Sequence, residues 1–83
     1  MKRKRLSRKN AIHTPESRTT VMINYSDVSH TLEVEYSGNR VYHYYDVDPQ
    51  LWQEYKAVIE SKGSSGRFVN ARVKPFHEDE EII

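Results

Sequence analysis

The segment 62–67, KGSSGR, is the first place in this chain where residue types and spacing could do chemistry. Its two glycines permit backbone conformations in which amide hydrogens converge on an anion. If a helix begins after Ser65, its N-terminus adds a favourable potential for phosphate, and Arg72 and Lys74 supply further cations. The segment is not a Walker loop, because the required spacing and the terminal Lys-Ser/Thr pair are absent. It predicts either a phosphate-facing basic side or a plain connection between two elements.

Tyr42 and Tyr44 are the second candidate group, because they alternate along the aromatic stretch VYHYYDVDP at residues 41–49. Rings on an open sheet can stack the bases of single-stranded nucleic acid, at about 1–3 kcal/mol for each base. The alternative is that both rings pack beneath a helix with their hydroxyls at the rim, which a small core favours. Asn70 has a similar choice between reading a base edge and holding the loop backbone.

Catalytic and metal-binding patterns are not visible in the sequence. Serines and histidines are present, but no motif places a nucleophile beside a base and an orienting group. The histidines at 13, 30, 43 and 77 lack the spacing typical of metal ligands, and no cysteine offers a thiolate. The sequence therefore predicts a binding module without catalytic residues, metal or cofactor, rather than an enzyme.

Length and charge predict the organisation of the chain. It has 83 residues and no cysteine, which indicates one small domain that folds without disulfides. Residues 1–18 hold seven Lys or Arg against one Glu, whereas residues 78–83 hold four acidic residues and no cation. Like charges repel, so we expect a disordered basic tail at 1–18 and a disordered acidic tail at 77–83 around a single domain at 19–76. The absence of cysteine suits a reducing, cytosolic compartment, and no segment has membrane-spanning length, so we expect a cytoplasmic protein without a membrane partner. We also expect a monomer.

Three runs of alternating apolar and polar residues predict three antiparallel strands. They are TVMINY at 20–25, TLEVEY at 31–36 and VYHYY at 41–45, and SGNR at 37–40 is a hairpin turn between the last two. The register of this hairpin decides which face the tyrosines occupy. A two-residue turn pairs Tyr36 with Val41 and points His43 to the face of Leu32. A three-residue loop pairs Tyr36 with Tyr42 and keeps His43 off that face, and this is the register we expect.

A helix is predicted to begin at Pro49, because Asp48 suits the capping position and proline suits the first turn. Apolar residues at 51, 52, 55, 58 and 59 lie on one helical face, which can cover the sheet. The helix should end near residues 61–62, with Gly63 as its C-terminal stop.

Residues 65–74 fit either a helix or a strand, since the apolar residues have both spacings. We expect a short helix that is capped by Ser64 or Ser65 and ends before Pro75. The predicted fold class is therefore α+β. It is a three-stranded antiparallel meander packed by one amphipathic helix, followed by a short second helix or strand.

The order and spacing of several short motifs add a family resemblance. The motifs are LxVxY at 32–36, YxY at 42–44, Val47, and SxGxFxNxxVK at 64–74. Together they resemble the KTSC domain, a small domain named for the C-terminus of some lysyl-tRNA synthetases. The resemblance covers residues 19–76, although the segment 52–66 is a few residues longer than usual and Val69 stands where a second aromatic is common. The synthetase context implies nucleic-acid binding, and the matching positions are Tyr42, Tyr44, Gly66, Phe68, Asn70 and Lys74.

Two functional hypotheses follow. The first is a small non-catalytic module that binds nucleic acid, RNA rather than DNA, through phosphate contacts on the basic side and the N-terminal arm. Its candidate residues are Tyr42, Tyr44, Lys62, Gly66, Arg67, Phe68, Asn70, Arg72 and Lys74. The second is a protein-interaction or accessory domain that uses the acidic sheet side or an edge strand at residues 20–25. If the acidic tail folds back on the basic arm, deleting residues 78–83 should tighten nucleic-acid binding.

Overall fold

A computed structural model describes residues 5–83 and shows an antiparallel sheet with a helical layer on one face. The strands are β1 Ile12–His13, β2 Thr20–Ser26, β3 Thr31–Tyr36, β4 Arg40–Tyr44 and β5 Asp79–Glu81, in that spatial order. The helical elements are a 3₁₀ turn at Arg8–Asn10, α1 at Pro49–Glu60, α2 at Ser65–Phe68 and a π-helical turn at Val69–Val73. The predicted α+β class is confirmed, and β2 to β4 form the predicted meander.

Both edges of the sheet come from segments that were predicted to be disordered. β1 pairs with β2, and β5 pairs with β4. Just beyond β5, Ile82 is 3% exposed, and its N–H donates to the Val41 carbonyl at 2.8 Å. The described parts of these segments therefore differ from the prediction, because sheet pairing can order short polar stretches whose own sequence has no apolar pattern. Residues 1–4 of the predicted basic tail lie outside the described residues.

The β3–β4 hairpin places the tyrosines on the predicted face but in a different register. Tyr36 pairs with Arg40 and Val34 with Tyr42, so the loop is three residues long, at 37–39. Two of those residues, Gly38 and Asn39, have φ values of 86° and 61°, a left-handed conformation that glycine and asparagine tolerate best. The expected partner of Tyr36 was Tyr42, which is two positions away. A shift of two residues preserves the face because side chains alternate along a strand.

One hydrophobic core lies between the helical layer and the tyrosine-bearing face of the sheet. Tyr25 of β2 stacks on Trp52 of α1 with ring centroids 5.3 Å apart, and Tyr55 stacks on Phe68 at 4.4 Å. The remaining buried members are Ile23, Leu32, Val34, Tyr44, Val47, Val69 and Val73. The amphipathic helix therefore covers the sheet as predicted, and α2 with the π-helical turn completes the layer.

Helix α1 begins as predicted and ends close to the predicted position, at Glu60 with Ser61 as its C-cap, but a different residue takes the left-handed conformation. Asp48 caps its N-terminus by accepting a hydrogen bond from the Gln50 N–H at 2.8 Å. At the C-terminus, Lys62 rather than Gly63 takes the left-handed conformation, with φ of 63°. The Lys62 and Gly63 amides donate to the carbonyls of residues 59 and 58, the two-bond pattern of a Schellman motif. Gly63 is needed for a different reason, because a Cβ there would lie 2.7 Å from Val58 Cγ1.

The second helical segment follows the helical alternative of the prediction. Ser64 is the N-cap of α2, and its hydroxyl accepts from the Arg67 N–H at 3.2 Å. The π-helical turn continues the chain to Lys74, so the helical conformation stops before Pro75, which cannot donate a backbone hydrogen bond. Residues 65–74 are therefore not a strand.

The opposite face of the sheet carries Glu33, Glu35 and His43 beside the buried apolar side chains of Met22 and Val41, and the N-terminal segment covers its acidic residues. Glu33 is fully buried there, where its carboxylate lies 2.8 Å from His43 Nε2 and accepts from the Leu6 N–H at 3.0 Å. Arg5 Nε is 3.2 Å from Glu33 Oε2, an ion pair without hydrogen-bond alignment, and Arg5 Nη2 donates to Glu35 at 3.2 Å. The predicted acidic sheet side is thus neutralised from within the chain.

Candidate functional site

A cleft opens where the β3–β4 hairpin, the end of the π-helical turn and β5 meet. Its volume is about 480 Å³, and its lining residues are Tyr36, Ser37, Arg40, Tyr42, Lys74 and Asp79. The tyrosines reach it because Tyr36, Tyr42 and Tyr44 all project from the core face of the sheet. The helical layer buries Tyr44 completely but leaves Tyr36 and Tyr42 partly exposed. The cleft is therefore the open end of the tyrosine face.

The rings of the cleft are held in place by each other. Tyr36 and Tyr42 meet edge to face with centroids 5.6 Å apart, and Tyr42 lies beside the buried Tyr44 at 6.3 Å. The hydroxyl oxygens of Tyr36 and Tyr44 are 2.7 Å apart. A tyrosine phenol is protonated at neutral pH, and burial raises the pKa of both hydroxyls further. The aromatic wall is therefore neutral and has a fixed orientation.

Two cations lie against these rings. Lys74 Nζ is 5.7 Å from the Tyr36 ring centroid, and Arg40 Cζ is 5.7 Å from that of Tyr42. Arg40 also donates to the Tyr42 hydroxyl at 2.9 Å and pairs with Glu81 at 3.2 Å. Each contact leaves the cation at the surface, where attraction to a ring contributes about 0.5–1 kcal/mol. Lys74 can therefore turn towards an anionic ligand at small cost, whereas Arg40 must first leave its pair with Glu81.

Asp79 supplies a carboxylate to the same cleft. It faces Tyr36 and Tyr44 closely enough to contribute to the raised pKa of both phenols, after burial as the main cause. Within residues 5–83, its side chain makes no hydrogen bond or ion pair. The cleft thus presents two rings, two cations and one acceptor-only group that is available to a ligand.

The predicted site residues divide between this cleft and the core. Tyr42 and Lys74 both line the cleft, although they are far apart in sequence. Tyr44 and Phe68 lie in the hydrophobic core, where Phe68 is 8% exposed. Gly66 lies against the start of β2, and a Cβ there would be 2.5 Å from Thr19 Oγ1. Packing alone therefore explains why Tyr44 and Phe68 are large aromatic residues and why residue 66 is glycine.

The other predicted cations do not converge on the cleft. Lys62 lines a separate groove of about 230 Å³ between the β1–β2 connection and the end of α1. Arg72 pairs with Glu54 at 2.7 Å and lies over the Phe68 ring at 5.5 Å. The side chains of Arg67 and Asn70 are exposed. The basic side predicted from the sequence is therefore distributed over the helical surface, and only Lys74 reaches the cleft.

Sequence reasoning missed four of the six residues that line the cleft, namely Tyr36, Ser37, Arg40 and Asp79. Tyr36 was assigned to the core face but not to a site, and Arg40 was treated as part of a turn. The signal for both was available, since a three-residue loop at 37–39 places Arg40 opposite Tyr36. Asp79 belongs to the segment predicted to be disordered, and its position depends on β5 pairing.

No group of three potential metal ligands occurs among the residues that the structure describes. Within the same residues, no helix is long and apolar enough to cross a bilayer.

Comparisons with known proteins agree with the fold. The family model of the KTSC domain matches residues 16–76. A crystal structure of a KTSC domain protein from Yersinia pestis superimposes with a TM-score of 0.71 and 22% sequence identity, covering 81% of this chain and 89% of that one. At this identity the likeness shows the fold alone. No curated protein matches the chain. Since the family model covers most of its length, the chain belongs to the KTSC domain family.

Proposed function

We propose that this chain is a small non-catalytic module that binds single-stranded RNA at the cleft between Tyr36, Tyr42, Arg40 and Lys74. The observation that carries the proposal is the meeting of two partly exposed rings and two cations in one open cleft. Single-strand-binding proteins combine aromatic platforms for bases with cations that follow the backbone. The cleft has both components, and they come from three different elements of the fold.

The cations give this interaction its affinity. Lys74 supplies the phosphate contact of the cleft, because its positive charge is held only by a weak surface interaction, and Arg40 adds positive potential beside it while it is paired with Glu81. Arg8 and Lys9, which are exposed in the 3₁₀ turn, add to the positive potential of the N-terminal arm. Arg5 contributes less, since its guanidinium is engaged by Glu33 and Glu35.

The alternative, a protein-interaction or accessory domain, has less support. The strand named for it, residues 20–25, is not an edge strand, because β1 pairs with part of β2. The acidic sheet side is covered by residues 5–10 where Glu33 is buried. Large apolar side chains are exposed at Val21, Val28, Phe76 and Ile83. They belong to four different segments of the chain, and exposed apolar residues that are scattered singly are normal on a protein surface.

The test is a salt titration of binding to a short labelled single-stranded RNA of mixed sequence, followed by fluorescence anisotropy. The affinity should fall with salt, with a log–log slope of about −0.7 for each phosphate neutralised. Lys74→Ala should weaken binding and make the slope shallower by about 0.7. Arg67→Ala is the matched control, since it removes an equal charge from an exposed position outside the cleft. Absence of binding at low salt would rule out the proposed function.

A further inference from the structure

We infer that the cleft reads a guanine base and that Asp79 is the residue that selects it. This inference rests on the proposed function, since it names which nucleotide of a single-stranded RNA the cleft receives. It depends on three observations, which are the charge balance of the cleft, the register of β5 and the free acceptor capacity of Asp79.

The charge balance argues against a site for phosphate alone. Arg40 and Lys74 contribute two positive charges, but Glu81 pairs with Arg40 and Asp79 lines the same cleft. A carboxylate beside a phosphate site repels the phosphate and weakens binding. A ligand that fits such a cleft carries a negative group and, apart from it, an edge of hydrogen-bond donors. A nucleotide with a donor-rich base has this arrangement.

The register of β5 places Asp79 where a base would lie. Asp79 pairs with Tyr44 and Glu81 with Tyr42, so both side chains project from the same sheet face as the rings. Glu80, between them, projects from the opposite face and accepts from the Tyr45 hydroxyl. Glu81 is engaged by Arg40, whereas the Asp79 carboxylate has no hydrogen-bond partner in the described part of the chain. Asp79 is therefore the acceptor that a bound base would meet.

Among the four RNA bases, guanine is the best partner for an ionised carboxylate. The carboxylate only accepts hydrogen bonds and can accept two in parallel. The Watson–Crick edge of guanine presents two adjacent donors, N1–H and N2–H. Adenine and cytosine present one amino group beside an acceptor, and uracil presents one N–H between two carbonyls. Single-stranded bases are read on this edge.

The size of the cleft fits one nucleotide. Its volume of about 480 Å³ falls within the roughly 300–1,000 Å³ of small-ligand sites. The base would contact Tyr42 and Asp79, and its phosphate would reach Lys74, which projects from the helical layer rather than from the sheet. Neighbouring nucleotides would lie outside the cleft and contribute only phosphate contacts.

The experiment uses the full chain and short uridine-rich RNAs that differ in one central base, which is guanine, inosine, adenine, cytosine or uracil. Inosine is the matched probe, because its base, hypoxanthine, is guanine without the N2 amino group. We expect the guanine RNA to bind about tenfold more tightly than the inosine RNA in fluorescence anisotropy at one low salt concentration. Equal affinity for the two would overturn the inference and leave the proposed RNA-binding function intact. Loss of all RNA binding would overturn both.

Two variants identify the residue responsible. Asp79→Asn keeps the size of the side chain but replaces one acceptor with a donor, so the preference for guanine over inosine should disappear. Glu80→Gln removes the same charge from the opposite face of the same strand and should keep the preference. If Asp79→Asn tightens binding of every RNA equally and keeps the preference, Asp79 acts only by repulsion and the inference is wrong. Thermal unfolding of both variants checks that β5 remains paired.

Discussion

Gly66 illustrates, at the scale of single residues, why a motif position can be fixed by packing. The α2 segment approaches the beginning of β2 so closely that a Cβ at residue 66 would lie 2.5 Å from Thr19 Oγ1 and 3.8 Å from Thr19 Cβ. Only the hydroxyl therefore conflicts with a larger side chain. This contact explains the glycine of the family motif without reference to a ligand.

We predict that Gly66→Ala lowers the free energy of unfolding by about 1–3 kcal/mol, the usual cost of overpacking. Thr19→Ala removes the conflicting hydroxyl, so the double variant should regain most of this loss, as a double-mutant cycle with urea unfolding would show. Gly38→Ala is the control. A Cβ at residue 38 would have no neighbour within 4 Å, and the substitution is strained only by the φ of 86° at this position. Thr19→Ala should therefore not restore the stability of the Gly38→Ala variant.

Glu33 is the second residue whose environment makes a measurable prediction. Burial by itself raises the pKa of this carboxyl, but hydrogen bonds from His43 and the Leu6 N–H, together with the positive charge of the nearby Arg5 guanidinium, outweigh it and lower the pKa from 4.5 to about 2. A depressed pKa means that the folded state binds the proton less readily than the unfolded state. The stabilisation is therefore complete above about pH 5 and is lost as the pH falls towards 2.

The expected result is a pH-dependent difference between the wild type and Glu33→Gln in urea unfolding. Above pH 5 the wild type should be more stable by on the order of 2–3 kcal/mol, and the two should converge as the pH approaches 2. Glu35→Gln is the control, since Glu35 is partly exposed and, among residues 5–83, its carboxylate pairs with Arg5 alone. If the difference in the free energy of unfolding between the wild type and Glu33→Gln stays constant from pH 5 to pH 2, the lowered pKa of Glu33 is wrong.

At the scale of secondary-structure elements, the end of α1 depends on two adjacent residues with different constraints. Lys62 has a φ of 63°, which costs an ordinary side chain about 1–2 kcal/mol. We predict that Lys62→Gly relieves this strain. Glycine also has a greater backbone entropy in the unfolded chain, which offsets part of the gain, so the free energy of unfolding should rise by about 0.5 kcal/mol. Gly63→Ala should lower it by about 1 kcal/mol or more, because of Val58. Thermal unfolding measures both changes. A loss of stability in Lys62→Gly together with a gain in Gly63→Ala would contradict the Schellman motif at the end of α1.

The same elements show how far the sequence could predict this fold. Alternation in β2, β3 and β4 and the cap at Asp48 were sufficient for the meander and the long helix. The face of the tyrosines depended on a choice between two registers, which was made by keeping His43 off the face of Leu32. Alternation has a period of two, so it could not separate registers that differ by two residues, and the partner of Tyr36 was wrong. β1 has only two residues and β5 only three acidic or polar ones, so neither has a pattern to recognise. The position of Asp79 in the cleft therefore required the structure.

At the scale of the whole molecule, the charged termini are used within the fold. Arg5 of the basic segment is bound to the acidic residues of one sheet face, and Glu81 of the acidic segment is bound to Arg40 on the other. The net charge of the chain therefore says little about the charge that a ligand meets. Deleting residues 78–83, the test suggested by the sequence, would remove an edge strand and the buried Ile82 together with the charges.

We predict that Glu81→Gln tightens binding of single-stranded RNA, because it releases Arg40 to contact a phosphate while β5 stays in the sheet. The affinity at low salt should rise several-fold, and the log–log salt slope should become steeper by about 0.7, the value for one additional phosphate contact. Glu80→Gln lowers the negative charge equally on the opposite face, where glutamine can still accept from the Tyr45 hydroxyl. If both variants tighten binding to the same extent and with the same log–log salt slope, the effect comes from net charge. The ion pair with Glu81 then does not keep Arg40 from contacting a phosphate.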